Sequence, residues 1–169
     1  MNTKNISEVV KWGNEDIEIY YKFLQTKNPY NYTLCPVYAN EGDSFNEYST
    51  FDAIQLKWQD NFTCTQQFIE LKGRYFNLDK CEGYALIDLY KVEKLQEYSK
   101  ANDMKCYIVN IWKYDNNKIT IHEVDANKDY QQDCVFYKNI NGKTADNPRK
   151  TDKKMVKFPI EKVYDWVNL

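Results

Sequence analysis

Apolar and polar positions alternate along this chain with two different periods, and the switches between them mark its elements. Ile6, Val9, Val10, Ile17, Tyr20, Tyr21 and Leu24 fall near one face of a helix. Asn5 with Glu8 reads as a capping pair, Gly13 bends or divides the helix, and Asn28-Pro29 closes it. A short strand is expected over Tyr32 to Val37, then a loop from Ala39 to Ser49. Phe51 to Trp58 and Thr63 to Phe76 read as strands joined at Gln59-Asp60-Asn61 into a hairpin. Tyr84, Ile87, Asp88, Lys91, Val92, Leu95 and Tyr98 recur at three- and four-residue steps and predict the clearest helix. Cys106 to Tyr114 and Lys118 to Val124 read as a second hairpin, turned at Asp115-Asn116-Asn117. Cys134 to Tyr137 and Met155 to Ile160 are further strand candidates around a polar loop with Gly142 and Pro148. This order predicts an α/β or mixed α+β domain with one central sheet flanked by helices.

Composition narrows the picture. The chain has 169 residues, one domain's worth, with a net charge of −2. No global basic field attracts nucleic acid, so binding of that kind needs a local patch. Aromatic residues make up 16% of the chain and Gly and Pro are few, which argues against disorder. With no apolar run of membrane-spanning length and no secretory signal pattern, the expectation is a soluble cytoplasmic protein without a membrane partner. Cys35, Cys64, Cys81, Cys106 and Cys134 are odd in number and widely spaced, which suits reduced thiols better than zinc or disulfides. His122 sits in the alternating run ITIHEV and reads as a strand residue, not a base. Trp12, Trp58, Trp112 and Trp166 read as packing residues rather than base-stacking platforms.

The candidate chemistry lies in FIELK, Phe68 to Lys72. In a strand, Glu70 and Lys72 share one face about 6–7 Å apart, while Ile69 and Leu71 point to the other. The hairpin brings Asp52 beside Glu70. Two carboxylates and the Leu71 carbonyl make a hard oxygen site suited to Mg²⁺ or Mn²⁺. An ion there lowers the pKa of a water and neutralises charge on a phosphodiester, and Lys72 orients that water or stabilises the oxyanion.

Asp52, 17 intervening residues and then Glu70-Leu71-Lys72 resemble the metal-dependent nuclease superfamily named for its P-D-(D/E)-x-K motif, which includes restriction endonucleases and junction resolvases. Phe51 stands where the motif has Pro. The resemblance implies a restriction-endonuclease-like core: a helix, three antiparallel strands carrying the acids and lysine, a helix, and another strand. It covers a core of about 14–124, leaving a C-terminal extension over 125–169 in the same single domain. It implies that Asp52 and Glu70 bind Mg²⁺ or Mn²⁺ and that Lys72 is catalytic. It also implies a further acid on the first helix, with Glu18 as candidate and Glu15 in reserve. The activity implied is endo- or exonucleolytic hydrolysis, of DNA first, in a phage, mobile-element or repair context, by a chain that dimerises as many members do. The alternative is a non-catalytic module that keeps the fold and binds nucleic acid or protein.

Candidate phosphate contacts are Arg74, on the Lys72 face, and Lys80 beyond it. Between Lys143 and Lys157 six basic residues meet two acidic ones, and Arg149, Lys150, Lys153 and Lys154 form a candidate nucleic-acid track; a solvated loop is the other reading. Asp88, Lys91 and Lys94 border the same cleft, although Asp88 and Lys91 equally suit an ion pair within the helix.

Overall fold

The computed structural model describes residues 3–27, 31–37, 51–141 and 150–165. Helix α1 runs unbroken over Thr3–Lys27, with Gly13 inside it. It starts two residues before Asn5, so Asn5 is a helix residue and not its cap. Its buried stripe is Asp16, Tyr20, Phe23 and Leu24, while Tyr21 faces solvent. Strand β1 (Tyr32–Pro36) pairs antiparallel with β2 (Ala53–Trp58), which pairs antiparallel with β3 (Cys64–Arg74). Asp60 tightens the β2–β3 turn, its Oδ1 accepting the N–H groups of Phe62 and Thr63 at 2.8 and 2.7 Å.

The chain then departs from expectation. Tyr84–Asp88 is strand β4, and helix α2 begins only at Leu89 and runs to Asn102. Five residues satisfy a helical and a strand period about equally, so the partner decides. That partner is β8 (Lys150–Pro159), which places Ala85 opposite Phe158 and Ile87 opposite Val156. Asp88 ends the strand and caps the helix, its Oδ1 accepting the Tyr90 N–H at 3.2 Å.

After α2, β5 (Lys105–Trp112) lies parallel to β3, with Glu70 opposite Ile108 and Lys72 opposite Asn110. Strand β6 (Lys118–Val124) pairs antiparallel with β5, across a turn where Asn116 and Asn117 adopt left-handed backbone, φ 53° and 56°. The five-stranded sheet has the order β1-β2-β3-β5-β6. Sequence pattern predicts one sheet; a second exists, β4-β8-β7, with β7 spanning Cys134–Asn141. The segment after Val124 is therefore bound into the domain through β4, and Ile119 also bridges Tyr164.

The architecture is mixed α+β, a central mixed sheet between helices, in the order helix, three antiparallel strands, the second-sheet strand β4, helix, parallel strand. Strand alternation divides the core in two. Ala53, Ile69, Leu71, Val109, Ile111 and Ile119 pack under α1 with Tyr20, Phe23 and Leu24. Phe68, Cys106, Ile108 and Trp112 pack on the other face with Leu89, Val92 and Leu95 of α2 and with the second sheet. The anticipated loops at Asn28-Pro29, Ala39 to Ser49 and around Gly142 and Pro148 fall outside the described residues, as does Trp166. No helix among the described residues is long and apolar enough to cross a membrane, which says nothing of a β-barrel. The five cysteines carry free thiols.

Candidate active site

Asp52, Glu70 and Lys72 come together on the α2 side of the sheet. Ala53 sits opposite Ile69 on the α1 side, so the preceding Asp52 turns toward the face that carries Glu70. Its main-chain N–H donates to the Ile69 carbonyl at 2.8 Å, and its Oδ2 accepts the Leu71 N–H at 2.7 Å. Leu71 thus meets Asp52 through its N–H, while its side chain is buried against α1.

Glu70 is the most enclosed member, with 2% of its side chain exposed. Lys72 Nζ lies 2.5 Å from its Oε1. A second ammonium, Lys91 of α2, lies 2.9 Å from its Oε2. That Oε2 accepts no hydrogen bond, so the Lys91 contact is one of charge alone. Two other buried atoms among the described residues are in the same condition, Asp16 Oδ1 and Asn110 Nδ2.

Burial, and then the adjacent Glu70 charge, push the Asp52 carboxyl up to about 6, against the pull of the Leu71 N–H, Lys72 and Lys91. For Lys72, burial alone lowers the pKa; the charge and hydrogen bond of Glu70, with Asp52 behind them, outweigh it and hold the ammonium above its ordinary value. Lys72 is therefore a fixed positive charge and hydrogen-bond donor at neutral pH, not a proton acceptor.

The remaining candidates separate. Arg74 is engaged within the fold: its Nε donates to Asn110 Oδ1 and its Nη2 to the Leu86 carbonyl, each at 2.8 Å. Strand β4 covers the end of β3 and turns a continuing polar face into an internal one. Burial lowers the Arg74 pKa to about 10, which leaves it charged. Glu18 is exposed and paired with Lys22 at 2.8 Å, on a helix packed against the opposite face from Glu70. The α1 acid that points at the sheet is Asp16, which pairs with Lys113 and accepts the Gly73 N–H. The missed signal is the Asp16, Tyr20, Phe23 spacing, which marks the buried stripe more consistently than Glu18, Tyr21, Leu24. Glu15 is exposed. Of the two readings for Lys91, a place beside the cleft and an ion pair with Asp88, the structure has the first: Lys91 lies against Glu70, and Asp88 pairs with Lys153 at 2.9 Å.

Lys80 is exposed in a short 3-10 turn, Leu78–Cys81. Lys154 is exposed in β8 and donates to Gln131 Oε1 at 3.3 Å. Arg149 and the side chain of Lys150 lie outside the described residues. His122 is a buried β6 residue beside Thr120, 3.2 Å from its hydroxyl, and burial followed by the Arg74 charge lowers its pKa to about 4.

The donors at the site are carboxylate oxygens, and one of them lacks a hydrogen bond. No group of three or more His, Cys, Asp and Glu side chains among the described residues could hold a metal. Two carboxylates do not make an all-protein cage of the kind calcium uses. They do suit a small hard cation that keeps several waters and takes further oxygens from a phosphate, as Mg²⁺ does.

No protein-family model matches the chain. Nor does any curated protein sequence. Among solved structures it is similar to Hjc of Archaeoglobus fulgidus, a Holliday junction resolvase, with 14% identity over 81% of this chain and 84% of that one and a TM-score of 0.41.

Proposed function

We propose that this chain is a divalent-metal-dependent nuclease that hydrolyses phosphodiester bonds, with DNA as its first substrate. The observation that carries the reading is the folding of Asp52 onto the Leu71 N–H, beside a Glu70 whose buried Oε2 faces the Lys91 charge without accepting a hydrogen bond. A motif of this kind arises often by chance in sequence. Here its acids lie on adjacent strands, on one face, with an ammonium two residues further along the same face.

A bound Mg²⁺ or Mn²⁺ would supply Lewis-acid polarisation of the phosphate and a water of lowered pKa. Asp52 and Glu70 are the residues that would hold it. Leu71 fixes Asp52 in the rotamer that faces Glu70. Lys72, kept protonated by the two acids, donates a hydrogen bond toward the phosphate and balances the charge that builds on its oxygens in the transition state. His122 and Arg74 are internal structural groups in this reading, and Glu18 takes no part.

One observation favours a second reading, a non-catalytic nucleic-acid- or protein-binding module. The two acids already face two ammonium groups, so the cluster is electroneutral without a metal. An assay of plasmid, single-stranded and branched DNA with Mn²⁺ separates the two. The nuclease reading expects cleavage that chelation stops and that Lys72→Ala reduces by about 10²–10⁴-fold. Wild type that cleaves none of these substrates, or cleaves no better than Lys72→Ala, contradicts it.

A further inference from the structure

The placement of Lys91 runs against helix electrostatics. It is the third residue of α2, where the partial positive charge of the helix N-terminus disfavours a cation, and the acid at that end, the Asp88 cap, pairs with Lys153 rather than with it. Its side chain is nonetheless drawn inward, 21% exposed, to within 2.9 Å of a buried carboxylate oxygen. Glu70 does not depend on it for neutralisation in the way a lone buried acid would, because Lys72 already occupies Oε1. Nor does Lys91 satisfy Oε2 as a hydrogen-bond donor. It also acts on Asp52, whose charge it favours. The Lys91 ammonium thus lies against Glu70, one of the two carboxylates that would take a divalent ion.

We infer that Lys91 is a built-in competitor for the metal: its ammonium takes the cation's place at Glu70 Oε2, and a divalent ion must displace it from that oxygen to bind. The inference rests on the reading of this cluster as a cation site. Two like charges within a few ångströms of the same oxygen repel strongly in a water-poor site, so occupancy by one disfavours the other. The reserve of charge makes the metal-free cluster neutral and stable. It also sets the cation concentration at which the site fills.

The test is a Mn²⁺ titration of the chelator-stripped full chain, followed by its melting temperature, since an ion that binds only the folded state raises it by mass action. Lys91→Met is expected to bind Mn²⁺ at least about fivefold more tightly than wild type. Lys91→Arg, which keeps the charge, stays within about twofold of wild type, and Lys94→Met, one turn along on the exposed Lys94–Glu97 pair, does not differ from it. If Lys91→Met folds poorly, Lys91→Gln takes its place. In wild type, the ε-carbon resonance of Lys91 is expected to move with Mg²⁺ at the midpoint of the thermal response, which requires no substitution. Equal or weaker Mn²⁺ affinity in Lys91→Met and Lys91→Gln overturns the inference and leaves the cation site standing. No thermal response in wild type or in any variant overturns both.

Discussion

On the α1 side of the five-stranded sheet, Ala53, Ile69, Leu71, Val109, Ile111 and Ile119 form an almost entirely aliphatic floor. The residues between them on the same strands, Asp52, Glu70, Lys72, Arg74, Asn110, Thr120 and His122, project to the α2 side and make a polar row within an apolar rim. Each face contains an enclosed acid. On the α1 side Asp16 has one ammonium, Lys113, and one backbone donor, Gly73. On the α2 side Glu70 has two ammonium groups and shares its surroundings with a second acid. A lone acid with one matched cation is the economy of a structural ion pair. An oxygen lacking a hydrogen bond occurs on both faces, so what sets the Glu70 side apart is the second acid and the second cation. Strand alternation sends Leu71 into the α1-side core and its neighbour Glu70 to the other face.

That contrast can be broken from either face. The largest effect is expected from Ile69→Ala, which removes a fully buried side chain from the aliphatic floor and should cost about 2–5 kcal/mol in urea unfolding while leaving the cation response of the folded protein intact. Asp52 provides a pH test. Its folded pKa of about 6 lies above the ordinary carboxyl value of 3.8, so the folded state binds the extra proton. The stabilisation is full below about pH 4 and is lost as pH rises through about 6, on the order of 2 kcal/mol after allowance for partial exposure. Metal-free wild type measured against Asp52→Asn by urea unfolding from pH 4 to 7 should show this falling difference; a difference that is flat or grows with pH contradicts the environment described for Asp52. Gly73→Ala comes next. A Cβ there would meet Asp16 Oδ2 at 2.8 Å, and Asp16 cannot retreat without loosening its contact with Lys113, so a loss of about 1–3 kcal/mol is expected. The smallest effect belongs to Glu18→Ala. An exposed helical pair contributes little, and α1 lies on the far face, so neither melting temperature nor Mn²⁺ response should change.

Much of this arrangement was legible from residue order. The two hairpins, the strand around Glu70 and the placing of Asp52 with Glu70 and Lys72 follow from period-two alternation over long enough runs. Other features depended on information that no local pattern carries. Tyr84–Asp88 fits a helical stripe, and only β8, some seventy residues later, makes it a strand. Arg74 continues the Lys72 face, yet β4 closes over it and supplies the Leu86 carbonyl. Glu18 and Asp16 are only two positions apart in sequence but about 200° around the helix, so choosing the acid two residues too late exchanges a buried acid for one on the opposite, exposed face. Lys91 was visible as a neighbour of the cleft; its partner was not, because the pairing of Asp88 with Lys153 across the second sheet decides it.

The central claim is that Asp52 and Glu70 together receive a divalent cation. Anomalous diffraction from crystals soaked in Mn²⁺ tests it most directly. The account predicts a manganese peak in contact with both carboxylates and Lys91 withdrawn from Glu70. A cluster that stays as it is, with Lys91 still against Glu70 and manganese absent from both acids, would contradict it.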